Sequence, residues 1–467
     1  MTNDSSSRIV AALRDWIAKA PPGARLPSNR ELSAQYRAGP VTVQKAMRTL
    51  AGLGLIETRP GAGTFIRARR AAGPADYSWQ TAALGAPQTL VLSATQRRGA
   101  PDAIGLHAGY PARDLLPDRL VRTAISRASR TDAAMTRSPA TGLLELQAWF
   151  ATELADAAPA DVAPAGARDV LIVSGSQSGL SSIFRSLVGV GQPLLVESPT
   201  YWGAILAARQ AGVELVPVPS GPSGPDPEAV DRAFARTKAR AFYAQPTYAN
   251  PIGGQWSRKR GLEILEIAAR HGAFLIEDDW AHDLGIDGEP HPIAAHDRDG
   301  RVVYLRSLTK SVSPALRVAA VIARGPAKER ILADRVAESM YVSGLLQAAA
   351  LDVLTQQAWR SHLRGFRQQL RARRDLLASS LLEHAPRAHL ETLPVGGVNL
   401  WVRLPDDVVP EQFAVDCEAR GVIIAPGSEW FPAEPSAPYI RLNFSGPDPE
   451  RFPEAARIIG DVLGRRR

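Results

Sequence analysis

The sequence predicts two joined folds: a small α+β winged helix-turn-helix domain, then a large α/β domain with a mostly parallel central sheet. Three observations carry this. Charge is unevenly placed: of the 55 Lys/Arg and 47 Asp/Glu in 467 residues, 12 and 4 fall in residues 1–70, so the whole net charge of +8 sits there and 43 of each sign balance in the remainder. Within those seventy residues, helical hydrophobic spacing gives way to two short strands around a Pro/Gly turn. From about residue 96, short apolar runs alternate with helical segments, the pattern of a sheet with helices on its faces.

In the first domain, Ile9, Val10, Leu13 and Ile17 recur at helical spacing between Ser7 and Lys19. Ser28 and Glu31 form a Ser-x-x-Glu capping box, which starts a second helix running to about Tyr36. Gly39 and Pro40 suit the cap and first position of a third helix, whose Val43, Ala46, Met47 and Leu50 face inward. After Gly54, "LIETR" and "TFIRA" read as strands joined by "PGAG", a wing. A basic domain of this arrangement reads double-stranded DNA with the first turn of its third helix. That turn exposes Thr42, Gln44 and Lys45. Arg30 opens the second helix, where it can reach a phosphate or a guanine edge, and Gly61 and Gly63 let the wing backbone approach the minor groove. A phosphate cradle at "GAGTF" is excluded, because no helix follows it.

The stretch "LPSNREL…VTVQKAMRTLAGLGLIETRPGAGTF" resembles the winged helix of the GntR regulators over residues 7–68. It departs from them at Gly39-Pro40, where that family has Ser/Thr-Arg, so the family's operator contacts do not transfer. Residues 71–95, rich in Arg, Ala, Gly and Pro, read as a tether.

In the large domain "DVLIVSG", "PLLVES", "VELVPV", "ARAFYAQ", "AFLIED" and "RVVYLRS" are the expected strands, and ligands gather at their carboxyl ends. "SGSQSGL" joins a strand to a helix, where small residues and the Ser176 hydroxyl can surround a phosphate. "IEDDW" places carboxylates at a strand end, where one can keep a pyridine nitrogen protonated; a helix cap or a metal site is the alternative, though no histidine spacing supports a metal and none is assigned. Lys310, in "RSLTKSVSPALR", ends a strand and turn among hydroxyls, with Arg317 seven residues on; a lysine amine so placed can bond to an aldehyde cofactor. Asn250 in "YANPIGG" can donate to a phenolic oxygen, and Arg441 in "YIRLNF" suits capture of a carboxylate.

This constellation resembles the fold-type I aminotransferases, which depend on pyridoxal 5'-phosphate, over residues 96–467, with a small subdomain from about residue 365. The resemblance implies Lys310 as the covalent anchor and Asp278 as the partner of the pyridine nitrogen. It implies Asn250 at the ring oxygen, Tyr201 stacked on the ring, Gly175, Ser176, Gln177, Ser307 and Arg317 around the phosphate, and Arg441 on the α-carboxylate. Trp280 stands where the family commonly has a tyrosine donating to the ring oxygen. Arg137 stands where a tyrosine reaches the partner subunit's phosphate.

A winged helix before such a domain is the architecture of the MocR regulators, a GntR subfamily. The resemblance implies a head-to-tail homodimer that binds operator DNA and senses pyridoxal phosphate, or an amine or amino-acid effector. Two other readings stand beside it: an active aminotransferase that also binds DNA, and a dimerisation scaffold that has lost its cofactor. The lone Cys417 fits a reducing compartment, and "MTNDSSSRIV" lacks the apolar core of a signal peptide. No apolar run approaches the ~18 residues of a membrane span. A soluble cytoplasmic protein with no membrane partner is expected.

Overall fold

In a computed structural model of the chain, the described residues are 5–67, 76–84, 93–97, 99–100 and 102–464. The chain divides into two compact units, Met1–Leu90 and Val91–Arg467. Among the described residues, no helix is long and apolar enough to cross a membrane.

The first unit holds α1 (Ser5–Lys19), α2 (Asn29–Gln35) and α3 (Pro40–Gly52), then β1 (Ile56–Arg59) and β2 (Gly63–Ile66). The capping box forms as its residues dictate: Glu31 N donates to Ser28 Oγ at 3.3 Å, and Ser28 N to Glu31 Oε2 at 2.7 Å. Gly39 caps α3 with Pro40 in its first turn. Ile9, Leu13, Leu32, Val43, Ala46, Met47 and Leu50 make the core with Ile56 and Ile66 of the wing. Val10 and Ile17 lie at its margin. The strands pair antiparallel from Ile56↔Ile66 to Arg59↔Gly63. Of the expected tether, residues 71–75 and 85–92 lie outside the described residues, whereas Trp79–Leu84 is a short helix.

The second unit contains β3 (Ile104–Gly105), β4 (Val170–Val173), β5 (Pro193–Ser198), β6 (Glu214–Gly221), β7 (Gly224–Pro225), β8 (Ala241–Ala244), β9 (Phe274–Asp279), β10 (Val302–Ser307) and β11 (Ala319–Ile322). The last eight form one sheet in the order β4-β11-β10-β9-β8-β5-β6-β7. Its centre is parallel, from β10 through β9, β8 and β5 to β6. Antiparallel β11, not anticipated from the sequence, wedges between β10 and β4. Each central strand is apolar on both faces: Leu275 packs into one core and Ile276 into the other, as do Val302 and Val303. Such burial is what a parallel sheet covered by helices requires.

A second sheet, β12 (His389–Leu390), β13 (Asn399–Arg403), β15 (Ala425–Pro426) and β16 (Tyr439–Asn443), is antiparallel in the order β12-β13-β16-β15, and β14 (Val422–Ile423) pairs parallel with β3. The 28-residue helix Gln357–His384 joins the two cores, with Trp359 in the first and Phe366, Leu370 and Leu377 in the second.

Candidate functional site

The carboxyl ends of β8, β9 and β10 and the turns after β4 and β5 open into one cleft. At its floor lies Asp278, almost wholly buried on β9. Its Oδ2 accepts from Tyr243 Oη at 2.7 Å and Gln245 Nε2 at 2.9 Å, while Oδ1 is buried without a partner. Burial pushes the carboxyl up to about 6, against the pull of those two donors. Strand alternation sends the flanking acids elsewhere: Glu277 accepts from the amides of Ile293 and Ala294, and Asp279 binds His282 Nδ1 and Tyr304 Oη. Gln245 ties the floor together, because its Oε1 accepts from Asn250 N at 3.0 Å and its own N donates to buried Glu197.

Lys310 reaches the same cleft from the turn after β10. Its Nζ sits 3.2 Å from the centroid of the Tyr110 ring. Burial, with Arg441 and Arg317 as neighbouring cations, holds the amine well below the usual lysine range. An amine so held gives up its proton more readily than an exposed lysine and is the better nucleophile for it. The run of hydroxyls around it divides. Ser307 Oγ accepts from Thr309 N, Thr309 Oγ1 lines the cleft buried and unpartnered, and Ser311 turns away to donate to Asp283.

At the far end, Gly175 precedes the helix Ser176–Ile183 with φ +87°, and the Arg317 guanidinium fills the space a side chain would need: a Cβ there would lie 2.4 Å from Nη2. Arg317 itself holds a left-handed φ of +51°, a strained backbone of the kind kept at ligand sites. Its Nη2 donates to Ser174 O, and Ser176 Oγ beside it is buried and unpartnered. The Gln177 side chain is already engaged: it donates to Gly203 O at 2.7 Å and accepts from Tyr201 Oη at 3.2 Å. Those contacts fix the Tyr201 ring, against which Gly203 packs so closely that a Cβ would lie 2.4 Å from Cζ.

Arg441, buried on β16, donates from Nη2 to the carbonyls of His107 and Ala108 and from Nη1 to Asn250 Oδ1 at 3.5 Å. Burial lowers it only to about 10, so it remains a cation at neutral pH.

Lys310, Asp278, Asn250, Tyr201, Ser176, Gln177, Ser307, Arg317, Trp280 and Arg441 thus line one cleft, with Gly175 directly behind Arg317. Trp280 and Arg137 stand apart from the other expected residues. The Trp280 indole N–H is bonded to Tyr248 O at 3.1 Å, because Tyr248 turns its backbone at φ +52°; Trp280 gives the cleft a ring edge and no donor. Arg137 is exposed and outside its own chain's cleft, with its guanidinium 6.0 Å from the Tyr341 ring. Tyr110, Gln245 and Thr95 line the cleft without having been anticipated. Gln245 could have been found from its place at the end of β8, whereas nothing around Tyr110 or Thr95 marks them.

On the first unit Arg30, Gln44, Lys45 and Gly61 are exposed and Thr42 is half-buried. Gly61, at the wing tip, has φ +73°.

A sheet of this order, with lysine, aspartate, asparagine and arginine at its strand ends, defines an aminotransferase-like fold behind a helix-turn-helix. The chain belongs to the aminotransferase class I and II family, whose model matches residues 102–459, and carries at residues 5–66 the domain of the gntR family of bacterial regulatory proteins. It is 27% identical to an uncharacterized HTH-type transcriptional regulator, YdfD, of Bacillus subtilis, over 94% of this chain and 92% of that one. It is 26% identical to the probable rhizopine catabolism regulatory protein MocR of Rhizobium meliloti, over 93% and 88%. Among solved structures, the α-aminoadipate aminotransferase LysN of Thermus thermophilus, complexed with N-(5'-phosphopyridoxyl)-L-leucine, superposes with a TM-score of 0.71 at 26% identity, over 78% of this chain and 93% of that one. The chain is a GntR-type DNA-binding regulator fused to an aminotransferase-like domain, in the arrangement of the MocR subfamily, and its family implies dependence on pyridoxal phosphate.

Proposed function

We propose that pyridoxal 5'-phosphate, held on Lys310, sets the affinity of this regulator for operator DNA. The observation that carries the reading is the set of unpartnered buried polar atoms around the cleft. Asp278 Oδ1 is an acceptor suited to a pyridine N–H, and Ser176 Oγ with the Arg317 guanidinium suits a phosphate. When bound, the group supplies an aldehyde for a lysine amine and a ring that withdraws electrons. The residues do the rest. Burial disfavours the protonated Lys310 amine, Tyr243 and Gln245 leave only Oδ1 of Asp278 to face the ring, Tyr201 supplies a flat wall, and Arg441 stands ready for the carboxylate of an amino-acid effector.

In this reading the chain works in the cytoplasm as a head-to-tail homodimer. Arg137 stands away from its own cleft near the Tyr341 ring, and Tyr341 and its chain neighbour Met340 are exposed, which supports a partner covering this face. Titrating a fluorescent operator with the full-length chain, with and without pyridoxal phosphate, tests the coupling. A reproducible shift in affinity or in complex stoichiometry is expected; identical curves would remove the sensing role.

The buried Lys310 amine, held well below the usual lysine range, and the cationic Arg441 also favour a second reading, an aminotransferase in its own right. Sustained turnover of amino donor and 2-oxo acceptor at about 1 s⁻¹ or more would support it.

A further inference from the structure

The buried row of α3, Val43, Ala46, Met47 and Leu50, turns the opposite row outward: Val41, Gln44, Lys45 and Arg48, spaced three and four residues apart. Three of these are the polar or cationic residues expected of a groove-facing surface. Val41 is not, yet it is 74% exposed. A β-branched residue in the first turn gains no burial there and is a poorer helix former than alanine. The residues that open the helix, Gly39 and Pro40, carry no side-chain donor for a guanine, and Gly39 makes no side-chain cap.

We propose that Val41 is a specificity-determining residue that packs on the 5-methyl group of a thymine in the major groove, while Gln44 beside it reads a neighbouring adenine. The methyl is the major groove's one apolar feature, and an amide matches adenine N6 and N7 bidentately. Residues three apart on a helix lie about 5–6 Å from each other, and base pairs stack about 3.4 Å apart, so the two side chains meet adjacent or next-adjacent pairs. This inference rests on the first unit binding double-stranded DNA.

The test begins by enriching binding sites from a random duplex pool with the full-length chain. Each thymine of the enriched site is then replaced in turn by uracil, which removes the methyl alone, and affinity is measured at fixed salt. With wild type, one position is expected to weaken binding roughly three- to fivefold, the value of one buried carbon at about 0.8 kcal/mol. With Val41→Ser, uracil at that position is expected to cost nothing further, and the exposed site leaves the melting temperature unchanged. Uracil tolerated by wild type at every position, or an equal loss in Val41→Ser, overturns the assignment. Failure of any sequence to enrich would overturn the DNA-binding reading beneath it.

Discussion

Asp278 keeps its two oxygens in different company, one between a phenol and an amide and the other in the cleft with nothing. This asymmetry has a pH signature. The carboxyl titrates near 6 when folded, against an ordinary 3.8, so folding takes up a proton between those values and ionisation above about pH 6 opposes the fold. A cation beside Oδ1 relieves that opposition. The rise in melting temperature on adding pyridoxal phosphate should therefore be larger near pH 7.5 than near pH 5, about the two sides of this titration. In Asp278→Asn, which loses the titration, the contribution of this residue to the difference should vanish, and cofactor affinity should fall roughly ten- to a hundredfold, the value of about 1.5–3 kcal/mol for a hydrogen bond to a charged group. Calorimetric scans at the two pH values check both. Equal shifts in wild type and variant would assign the pH dependence to other groups.

At the scale of elements, the turn from β4 into the helix Ser176–Ile183 depends on a residue without a side chain. Gly175→Ala places a Cβ against the Arg317 guanidinium at a backbone angle that L residues rarely adopt. It should destabilise the second unit by about 1–3 kcal/mol and weaken pyridoxal phosphate binding, as read by urea unfolding and cofactor titration. Strand-end chemistry was legible in the sequence because each functional group follows an apolar run: Asp278 after "FLIE", Lys310 after "VVYLRS", Ser176 after "VLIVSG". Three things were not legible. Antiparallel β11 shares its apolar composition with its parallel neighbours, so its direction is set by the sheet and not by its residues. Tyr110 belongs to a loop with no apolar periodicity, tied in place by Arg441 of the distant β16 through the carbonyls of His107 and Ala108. The indole of Trp280 is a third case, because its partner is a backbone carbonyl turned toward it by the left-handed Tyr248.

At the scale of the whole molecule, charge separates the two tasks. The first seventy residues carry the entire excess of +8 and the remainder is balanced, so DNA affinity should fall steeply with salt while cofactor affinity changes little. Arg30→Ala, at an exposed position on α2, should weaken DNA binding roughly five- to tenfold and, if its contact is to a phosphate, reduce the salt slope by about 1. Bound cofactor should be unaffected. Anisotropy titrations over a salt series, beside the absorbance of the same sample, check the two together.

The proposed cofactor binding and sensing both turn on assigning Lys310 as the residue that would hold pyridoxal phosphate, and trapping that bond tests the assignment most directly. The purified chain and Lys310→Ala are each mixed with pyridoxal phosphate, reduced with borohydride, digested and mapped by mass spectrometry. A visible absorption band before reduction and a phosphopyridoxyl mass on the Lys310 peptide are expected in the wild type, both absent from the variant. An unmodified Lys310 in the wild type would contradict the assignment, leaving the large unit a scaffold behind a DNA reader.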